Sequence, residues 1–323
     1  MRFLFLLLFF PVFVQAQSVV SQISRAESDM ASLSKKQDSL LKKIEELKFQ
    51  KIHEDLDKLG LPKVNPGEEV VYHLAYALVY AEPYEQAKWV AHIILPDVVN
   101  GNEGRSNDFR PDEKIKTGSA VETDYFLRIP ITDSTFKYDG FGYDRGHLAP
   151  SADFRYSKKV LSESYLYSNM SPQVAKLNRG RWAELEDVVR QYVVRNKTQV
   201  YVVTGPVLRP GLPKIERGTN KVSIPEFYFK VALDETNQRA IGFLMPNKDC
   251  EYPVMSYACS IDSIESVTGI DFFASLPDDK EQMLESKFDV NKWVGERELG
   301  DVQPMRADSL PKHTFNTVQA RYH

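Results

Sequence analysis

The stretch that decides the fold runs from residue 144 to residue 153 and reads Asp-Arg-Gly-His-Leu-Ala-Pro-Ser-Ala-Asp. Its first four residues place an imidazole, His147, two positions after a guanidinium, Arg145. A neutral imidazole can accept a proton from water at physiological pH. A planar guanidinium offers two parallel donors that match two phosphate oxygens. The stretch therefore indicates chemistry on a phosphate ester.

Hard oxygen ligands follow this stretch in the sequence, at Asn178 and Glu186. Amide and carboxylate oxygens suit Mg²⁺, which keeps several waters and takes one or two protein groups. The four-residue spacing of Asn178, Trp182 and Glu186 predicts a single helix face, within a helix over residues 178–195. Eight residues of helix separate the Asn178 and Glu186 backbones by about 12 Å. We therefore predict that Asn178 binds the cation directly and that Glu186 acts through bound water.

A wider region of the sequence resembles the DNA/RNA non-specific endonuclease family. The resemblance is carried by residues 144–153, by Tyr-Ser-Asn-Met-Ser-Pro-Gln at 167–173 and by Leu-Asn-Arg-Gly-Arg-Trp-Ala-Glu-Leu-Glu at 177–186. It extends over about residues 70 to 290. Members of this family have a ββα-metal (His–metal finger) fold, so the resemblance implies an α+β endonuclease domain.

The resemblance also implies a role for each motif residue. His147 corresponds to the general base, and Arg145 to the arginine that contacts phosphate. Asn178 corresponds to the protein ligand of Mg²⁺, with Mn²⁺ as the alternative ion, and Glu186 to the residue that holds metal-bound water. Asn169 corresponds to an asparagine that belongs to the same catalytic site.

The family uses one further arginine on the phosphate, upstream of these motifs. Alignment on Phe109 and Asp112 places that position at Asn107, which lies between Arg105 and Arg110. We predict that Arg105 takes this role.

The expected function is an exported, metal-dependent endonuclease that cuts DNA and RNA with little sequence preference. Two alternatives stay open on the sequence alone. One is a secreted interaction protein whose nuclease fold binds nucleic acid without cutting it. The other is a phosphodiesterase that acts on small substrates.

The charge of the chain gives mixed support to a nucleic-acid partner. The net charge of −4 argues against non-specific binding, which usually shows a basic footprint. Residues 144–181, however, contain seven Lys and Arg against three Asp and Glu, a local net charge of +4. A local positive surface attracts a polyanion. The alternative is an ordinary mixed surface, if folding scatters these residues.

The first sixteen residues have the pattern of a secretory signal peptide. Arg2 precedes an apolar run, and Val14-Gln15-Ala16 fits a small-residue cleavage site. We predict cleavage after Ala16, an extracytoplasmic (periplasmic or secreted) location, and no membrane span in the mature chain. An uncleaved membrane anchor is the alternative.

Residues 17–61 form a separate helical segment in this reading. Apolar residues recur at alternating spacings of four and three from Val19 to Leu47, which is a heptad seam with Gln37 as its polar member. A coiled-coil-like helix of this kind pairs with a second copy to give a homodimer, lies along the globular domain, or remains a solitary spacer. A linker at 62–69, an endonuclease domain at 70–290 and a C-terminal tail at 291–323 complete the predicted organisation.

The two cysteines, Cys250 and Cys259, are close enough in sequence to form a disulfide in an oxidising compartment. Their surroundings show no metal-binding spacing. We include a Cys250–Cys259 disulfide among the candidate features of the chain.

Overall fold

The computed structural model describes residues 18–126, 128–133, 135–138 and 142–295. The predicted signal peptide and residues 296–323 of the predicted tail lie outside these ranges. The chain divides into two compact units, residues 1–48 and 49–323. The described part of the first unit is one helix, and the second unit contains the sheet and the motif residues.

Helix α1 runs from Val19 to Leu59. No Gly or Pro interrupts it before Gly60, whose backbone N–H donates to the Leu56 carbonyl at 3.0 Å and whose φ of 80° ends the helix. The apolar seam residues from Val19 to Leu47 are all exposed. The last turns of the helix, from Phe49 onward, belong to the second unit, and one face of them is buried in its core through Phe49, Ile52, Leu56 and Leu59.

The second unit is built on an antiparallel seven-stranded sheet, in which the strands lie in the order β1 (Val70–Tyr72), β2 (Tyr76–Ala81), β3 (Gln86–Ile94), β8 (Val200–Pro206), β9 (Phe227–Asp234), β10 (Arg239–Pro246) and β11 (Ala258–Cys259). Its strands are apolar on both faces and mostly buried, which explains why their apolar runs are almost continuous in the sequence. In chain order, the strands and helices that follow α1 are β1 (Val70–Tyr72), β2 (Tyr76–Ala81), β3 (Gln86–Ile94), α2 (Glu122–Tyr125), β4 (Arg128–Pro130), β5 (Phe136–Tyr138), β6 (Tyr143–His147), α3 (Lys158–Glu163), β7 (Met170–Val174), α4 (Trp182–Asn196), β8 (Val200–Pro206), β9 (Phe227–Asp234), β10 (Arg239–Pro246), β11 (Ala258–Cys259), α5 (Ile261–Thr268) and α6 (Asp278–Glu285).

A separate antiparallel pair of strands, the β6–β7 hairpin, precedes helix α4 and gives the ββα arrangement. Its two strands are joined by residues 148–169, which include α3. Tyr143 pairs with Val174 at one end of the hairpin, and His147 pairs with Met170 at the other. The apolar stripe of α4 is buried, as its spacing predicts, and Trp182 lies against Tyr228 of β9 with ring centroids 5.7 Å apart. The predicted α+β class is confirmed.

Two features of the C-terminal region differ from the sequence-based expectations. Trp293 lies within the predicted tail but is buried, and its ring stacks on Tyr192 of α4 with centroids 4.3 Å apart. Cys250 and Cys259 are free thiols and do not form the disulfide considered above. Cys259 is fixed opposite Gly242 on edge strand β11, whereas the Cys250 thiol lies 3.7 Å from the Pro246 carbonyl oxygen.

Across the ranges that the structure describes, no helix is both long enough and apolar enough to cross a bilayer. The predicted apolar segment at the N-terminus is outside those ranges.

Candidate active site

The β6–β7 hairpin brings the two motif residues and Asn169 together. Arg145 and His147 lie on β6, and Asn169 comes immediately before β7. The backbone N–H of Leu148 donates to the Asn169 carbonyl at 3.0 Å, which continues the pairing one residue beyond His147. Sequence positions more than twenty residues apart thus meet at one end of the hairpin.

The His147 imidazole is buried between aromatic rings. Its ring meets Tyr165 edge-on at 4.9 Å and Phe109 at 5.8 Å, and 9% of the residue is exposed. Its Nε2 atom is buried and has no hydrogen-bond partner among the described residues. Burial, followed by the charges of Arg105 and Arg145, lowers the pKa of His147 to about 3. The imidazole is therefore neutral at pH 7, the form that accepts a proton.

Asn169 supports the backbone that follows His147. Its Oδ1 accepts from the Ala149 N–H at 2.9 Å, while its Nδ2 donates to the carbonyls of Ala149 and Ser164 at 2.9 and 2.8 Å. The residue is fully buried. Its amide is thus occupied by backbone groups of Ala149 and Ser164, next to His147.

Aromatic rings and polar groups hold the Arg145 guanidinium. Its central carbon lies 3.6 Å from the centroid of the Phe109 ring and 4.8 Å from that of Phe126. Nη1 donates to the Tyr167 hydroxyl at 3.4 Å and lies 3.9 Å from a Glu122 oxygen. Phe109 contacts both His147 and Arg145, a role that its use as an alignment anchor did not indicate.

Asp144 fixes the orientation of Asn178. The Asn178 Nδ2 donates to Asp144 Oδ2 at 2.9 Å, and the Arg179 guanidinium donates to both Asp144 oxygens at 2.6 and 2.7 Å. With its nitrogen held in this way, the Asn178 amide keeps its oxygen as the acceptor for a cation. Asp144 belongs to the sequence motif, but its position in the motif does not predict this contact with Asn178.

The helix that carries Glu186 is not continuous with Asn178, which corrects the prediction of a single helix over 178–195. Residues 177–181 form a π-turn in which Gly180 has non-helical angles of φ −112° and ψ −114°, and α4 begins at Trp182. The ideal-helix separation of Asn178 and Glu186 therefore does not apply. Gly180, inside a helical pattern, was the available signal for this break.

Glu186 is half-buried on α4. Burial raises its pKa to about 7, and the nearby charges of Lys230 and Arg190 oppose that rise. A divalent cation nearby would favour the ionised carboxylate in the same way as these two side chains do.

A buried polar network surrounds this carboxylate. Arg190 lies 3.0 Å from Asp153, and Asp153 lies 2.9 Å from the His92 Nε2. Lys230 donates to the Thr204 hydroxyl at 2.6 Å. Arg190 was not among the predicted site residues, although it lies four residues after Glu186 on the same helix face.

Arg105 and Arg110, the two candidates for the upstream arginine, differ in their surroundings. Arg110 donates to the Asp108 carboxylate at 2.9 Å and to the Ser162 carbonyl at 2.9 Å. Arg105 is exposed, and its charge contributes to the lowered pKa of His147. Asn107 is exposed as well. Arg105 is thus the candidate whose charge acts on the His147 imidazole.

The local positive charge of residues 144–181 is partly neutralised. Arg145, Lys176, Arg179 and Arg181 each have a carboxylate oxygen within 4 Å. The surface available to a polyanion is therefore less basic than the count of charged residues indicates.

Three comparisons with known proteins bear on this arrangement. The sequence model of the DNA/RNA non-specific endonuclease family matches residues 56–279. The chain is 33% identical over 239 residues to a nuclease of Nostoc sp., which covers 70% of this chain and 81% of that protein. It is 31% identical over 239 residues to mitochondrial endonuclease G of Homo sapiens, covering 69% and 74% respectively. A chain in the crystal structure of the EndoG/EndoGI complex matches with a TM-score of 0.60 and 27% identity, over 73% of this chain and 95% of that one.

Proposed function

Because the chain belongs to the DNA/RNA non-specific endonuclease family, we propose that it hydrolyses phosphodiester bonds in both DNA and RNA, with His147 as the general base. The observation that carries this proposal is the His147 imidazole, which lies on the same strand as Arg145, is buried, and has an Nε2 atom without a hydrogen-bond partner among the described residues. A phosphate bound near Arg145 and Arg105 would offset those charges and raise the basicity of the imidazole.

Each nearby side chain has a distinct task in the proposed mechanism. His147 takes a proton from the attacking water through its ring nitrogen. Arg145, held by Phe109 and Phe126, binds the non-bridging phosphate oxygens, and Arg105 approaches from the exposed side. Asn169 keeps the backbone after His147 in place, which fixes the direction of the imidazole.

The residues present fit a Mg²⁺ ion, with Mn²⁺ as the alternative. Asn178 would bind it through Oδ1, because its Nδ2 is held by Asp144. Glu186, which is half-buried on α4, would hold it through water, the role that the family resemblance implies. When bound, the cation stabilises the charge that develops on the phosphate and the leaving oxygen.

Weak sequence preference follows from the groups that this site offers. The guanidinium groups and the cation contact phosphate, and such contacts carry no base information.

Export by the predicted signal peptide belongs to the same proposal. The test is the mass of the mature protein from a secreting host. We expect a chain that begins at Gln17, whereas a chain that retains residues 1–16 would contradict cleavage.

We also propose that the exposed seam of α1 binds a second copy of the chain in antiparallel orientation. This orientation places Met30 opposite Leu33 of the partner subunit, and it brings Asp29 next to Lys36 of the partner subunit. It also pairs Val20 with Leu41, the two large exposed apolar residues of α1 outside the seam. Parallel pairing would instead place Asp29 opposite Ser34 and Lys36 opposite Leu41, which gives no attraction between these charges.

The first test of the function is cleavage of supercoiled plasmid and of structured RNA by the mature protein, with Mg²⁺ and with EDTA. We expect both polymers to be degraded with Mg²⁺ and neither with EDTA. A folded protein that cuts neither polymer across a range of salt and divalent ions would contradict the proposal.

The same assay separates the two alternatives. A binding protein would shift the mobility of nucleic acid without cutting it. A phosphodiesterase for small substrates would hydrolyse dinucleotides faster than it cuts the polymers.

A further inference from the structure

A second group of acidic side chains lies on α5 and α6, elements that carry none of the proposed catalytic residues. Each of Asp262, Glu265 and Glu285 offers one carboxylate oxygen, and these three oxygens lie within 4.8 Å of one another. Asp262 and Glu265 are on α5, and Glu285 is the last residue of α6. The three side chains thus converge from two helices on one small volume.

An unsatisfied buried oxygen points to a ligand at this place. Glu285 is only 6% exposed, and its Oε1 atom is buried without a hydrogen-bond partner in the described part of the chain. A buried carboxylate oxygen without a partner is costly and calls for a cation or a proton. Glu265 differs, because one of its oxygens accepts from the Phe272 N–H at 2.9 Å.

The electrostatic surroundings also favour a cation. Burial, then the charges of Glu265, Glu281, Asp262 and Asp271, raise the pKa of Glu285 to about 8. A positive side chain in this region, Lys63, is mostly exposed and lies 3.2 Å from Asp271. The carboxylates of the two helices therefore repel one another more than Lys63 can offset.

We propose that Asp262, Glu265 and Glu285 form a Ca²⁺ site that joins α5 to α6. Ca²⁺ binds carboxylate oxygens at about 2.3–2.6 Å, so two of its ligands lie no more than about 5 Å apart, as these oxygens do. The all-oxygen donor set and its convergence from two helices suit Ca²⁺ better than Zn²⁺, which prefers nitrogen and sulfur. Water fills the remaining coordination positions. The site is separate from Asn178 and Glu186 and has a structural role.

The test uses the full mature chain with Asn178→Ala, so that the proposed catalytic ion does not contribute. Calorimetric titration with CaCl₂ after EDTA treatment and dialysis should show one site, with a Kd of about 0.1–1 mM for a site with few protein ligands. The Tm should begin to rise as the CaCl₂ concentration approaches the Kd and should keep rising with the logarithm of that concentration, and it should rise less with MgCl₂ at the same concentration.

Glu285→Gln in the same background should abolish the Ca²⁺-dependent rise in Tm. In metal-free buffer this variant should be at least as stable as its parent, because the amide removes a buried acid, so a missing response is not a folding defect. Asp279→Asn, on the exposed surface of α6, is the matched control and should keep the full response. An equal Ca²⁺-dependent rise in Tm in the parent and in Glu285→Gln, or no heat of binding in the parent, would overturn the proposal. In that case a proton shared among the three carboxylates, in place of a cation, offsets their negative charge.

Discussion

Asp144 holds two side chains of the turn that follows β7, and one of them is the proposed metal ligand Asn178. Removing the carboxylate frees the Asn178 amide to rotate and directs its nitrogen toward the cation in part of the population. Changes to groups that orient a metal ligand cost about 10–100-fold in affinity. We therefore expect Asp144→Ala to raise the Mg²⁺ concentration for half-maximal plasmid cleavage by that factor.

Asp249→Ala is the matched control for this change, because it removes an exposed ion pair with Lys176 and leaves Asn178 untouched. An unchanged Mg²⁺ requirement in Asp144→Ala would contradict the orienting role of Asp144.

His73 gives the stability of the protein a pH dependence of known sign. Burial alone would lower its pKa, but the hydrogen bond to Asp112 and the nearby Glu163 carboxylate, which has an oxygen 3.9 Å from the His73 Nδ1, outweigh burial and raise the pKa above 6.5. Protonation therefore stabilises the folded state fully below about pH 6.5, and this contribution is lost as the pH rises through the folded-state pKa. The contribution to the free energy of unfolding is about 1.4 kcal/mol for each pH unit by which the pKa in the folded state exceeds that in the unfolded state.

Urea denaturation of the wild type and of His73→Gln from about pH 6 to about pH 9 measures this contribution. The difference in the free energy of unfolding between the two should shrink with rising pH. The same comparison with His53→Gln serves as the control. A difference that stays constant over this range would show that the His73–Asp112 pair, with its atoms 2.9 Å apart, does not bind the extra proton.

The β6–β7 hairpin requires a glycine between the two catalytic candidates of β6. A Cβ at position 146 would lie 2.2 Å from the Gln173 Oε1 and 2.4 Å from its Cδ. Gln173 is fully buried, so it has little room to move. Gly146→Ala should destabilise the protein by about 1–3 kcal/mol and displace His147 relative to Arg145.

Thermal unfolding and plasmid cleavage check this prediction together. Gly142→Ala is the control, since a Cβ there meets no atom within 4 Å. Wild-type stability in Gly146→Ala would mean that Gln173 moves without cost.

Helix α1 supplies a test of antiparallel self-pairing. Asp29→Lys and Lys36→Glu should each weaken the dimer about tenfold, because each turns two attractive contacts into two repulsive ones. Sedimentation equilibrium gives the dissociation constants. The double variant, and an equimolar mixture of the two single variants, should regain wild-type affinity.

Lys35→Glu and Asp38→Lys lie beside these positions but outside the flanks of the seam, and they should have little effect. A double variant as weak as the single ones would rule out antiparallel pairing in this register. A monomeric wild type would rule out self-pairing.

Elements with a simple pattern could be predicted from the sequence, and those that depend on distant partners could not. The apolar run at 227–233 becomes β9, and the stripe from Trp182 to Tyr192 becomes the buried face of α4. The π-turn at 177–181 was missed because the four-residue spacing continues through it as in a helix, and Gly180 is the local signal for the break. Asp153, Arg190 and Lys230 were missed because their contacts join elements far apart in the sequence.

In the site, too, residues within a motif could be predicted from the sequence, whereas the residues that pack around them could not. His147 and Arg145 could be predicted to lie together because they are two residues apart in the motif. The aromatic rings around them belong to Phe109 and Tyr165, which are distant in the sequence and could not be predicted from residue spacing. The roles of His147, Arg145, Arg105, Asn178 and Glu186 remain predictions that the geometry supports.

For the whole molecule, the acidic net charge and the paired basic side chains leave the cation and a few arginines to attract the nucleic acid. The proposed function therefore depends on a buried base more than on a broad basic surface. His147 is therefore the residue on which the proposed function most depends.

The most direct measurement is the initial rate of plasmid cleavage by His147→Ala at saturating Mg²⁺, compared with the wild type and with the His53→Ala control. The two variants should keep the wild-type circular dichroism spectrum. We expect the His147→Ala rate to fall by about a hundred- to ten-thousandfold, the usual contribution of a general base, and the control to cut at the wild-type rate. A folded His147→Ala protein that cuts within a few-fold of the wild-type rate would contradict the account.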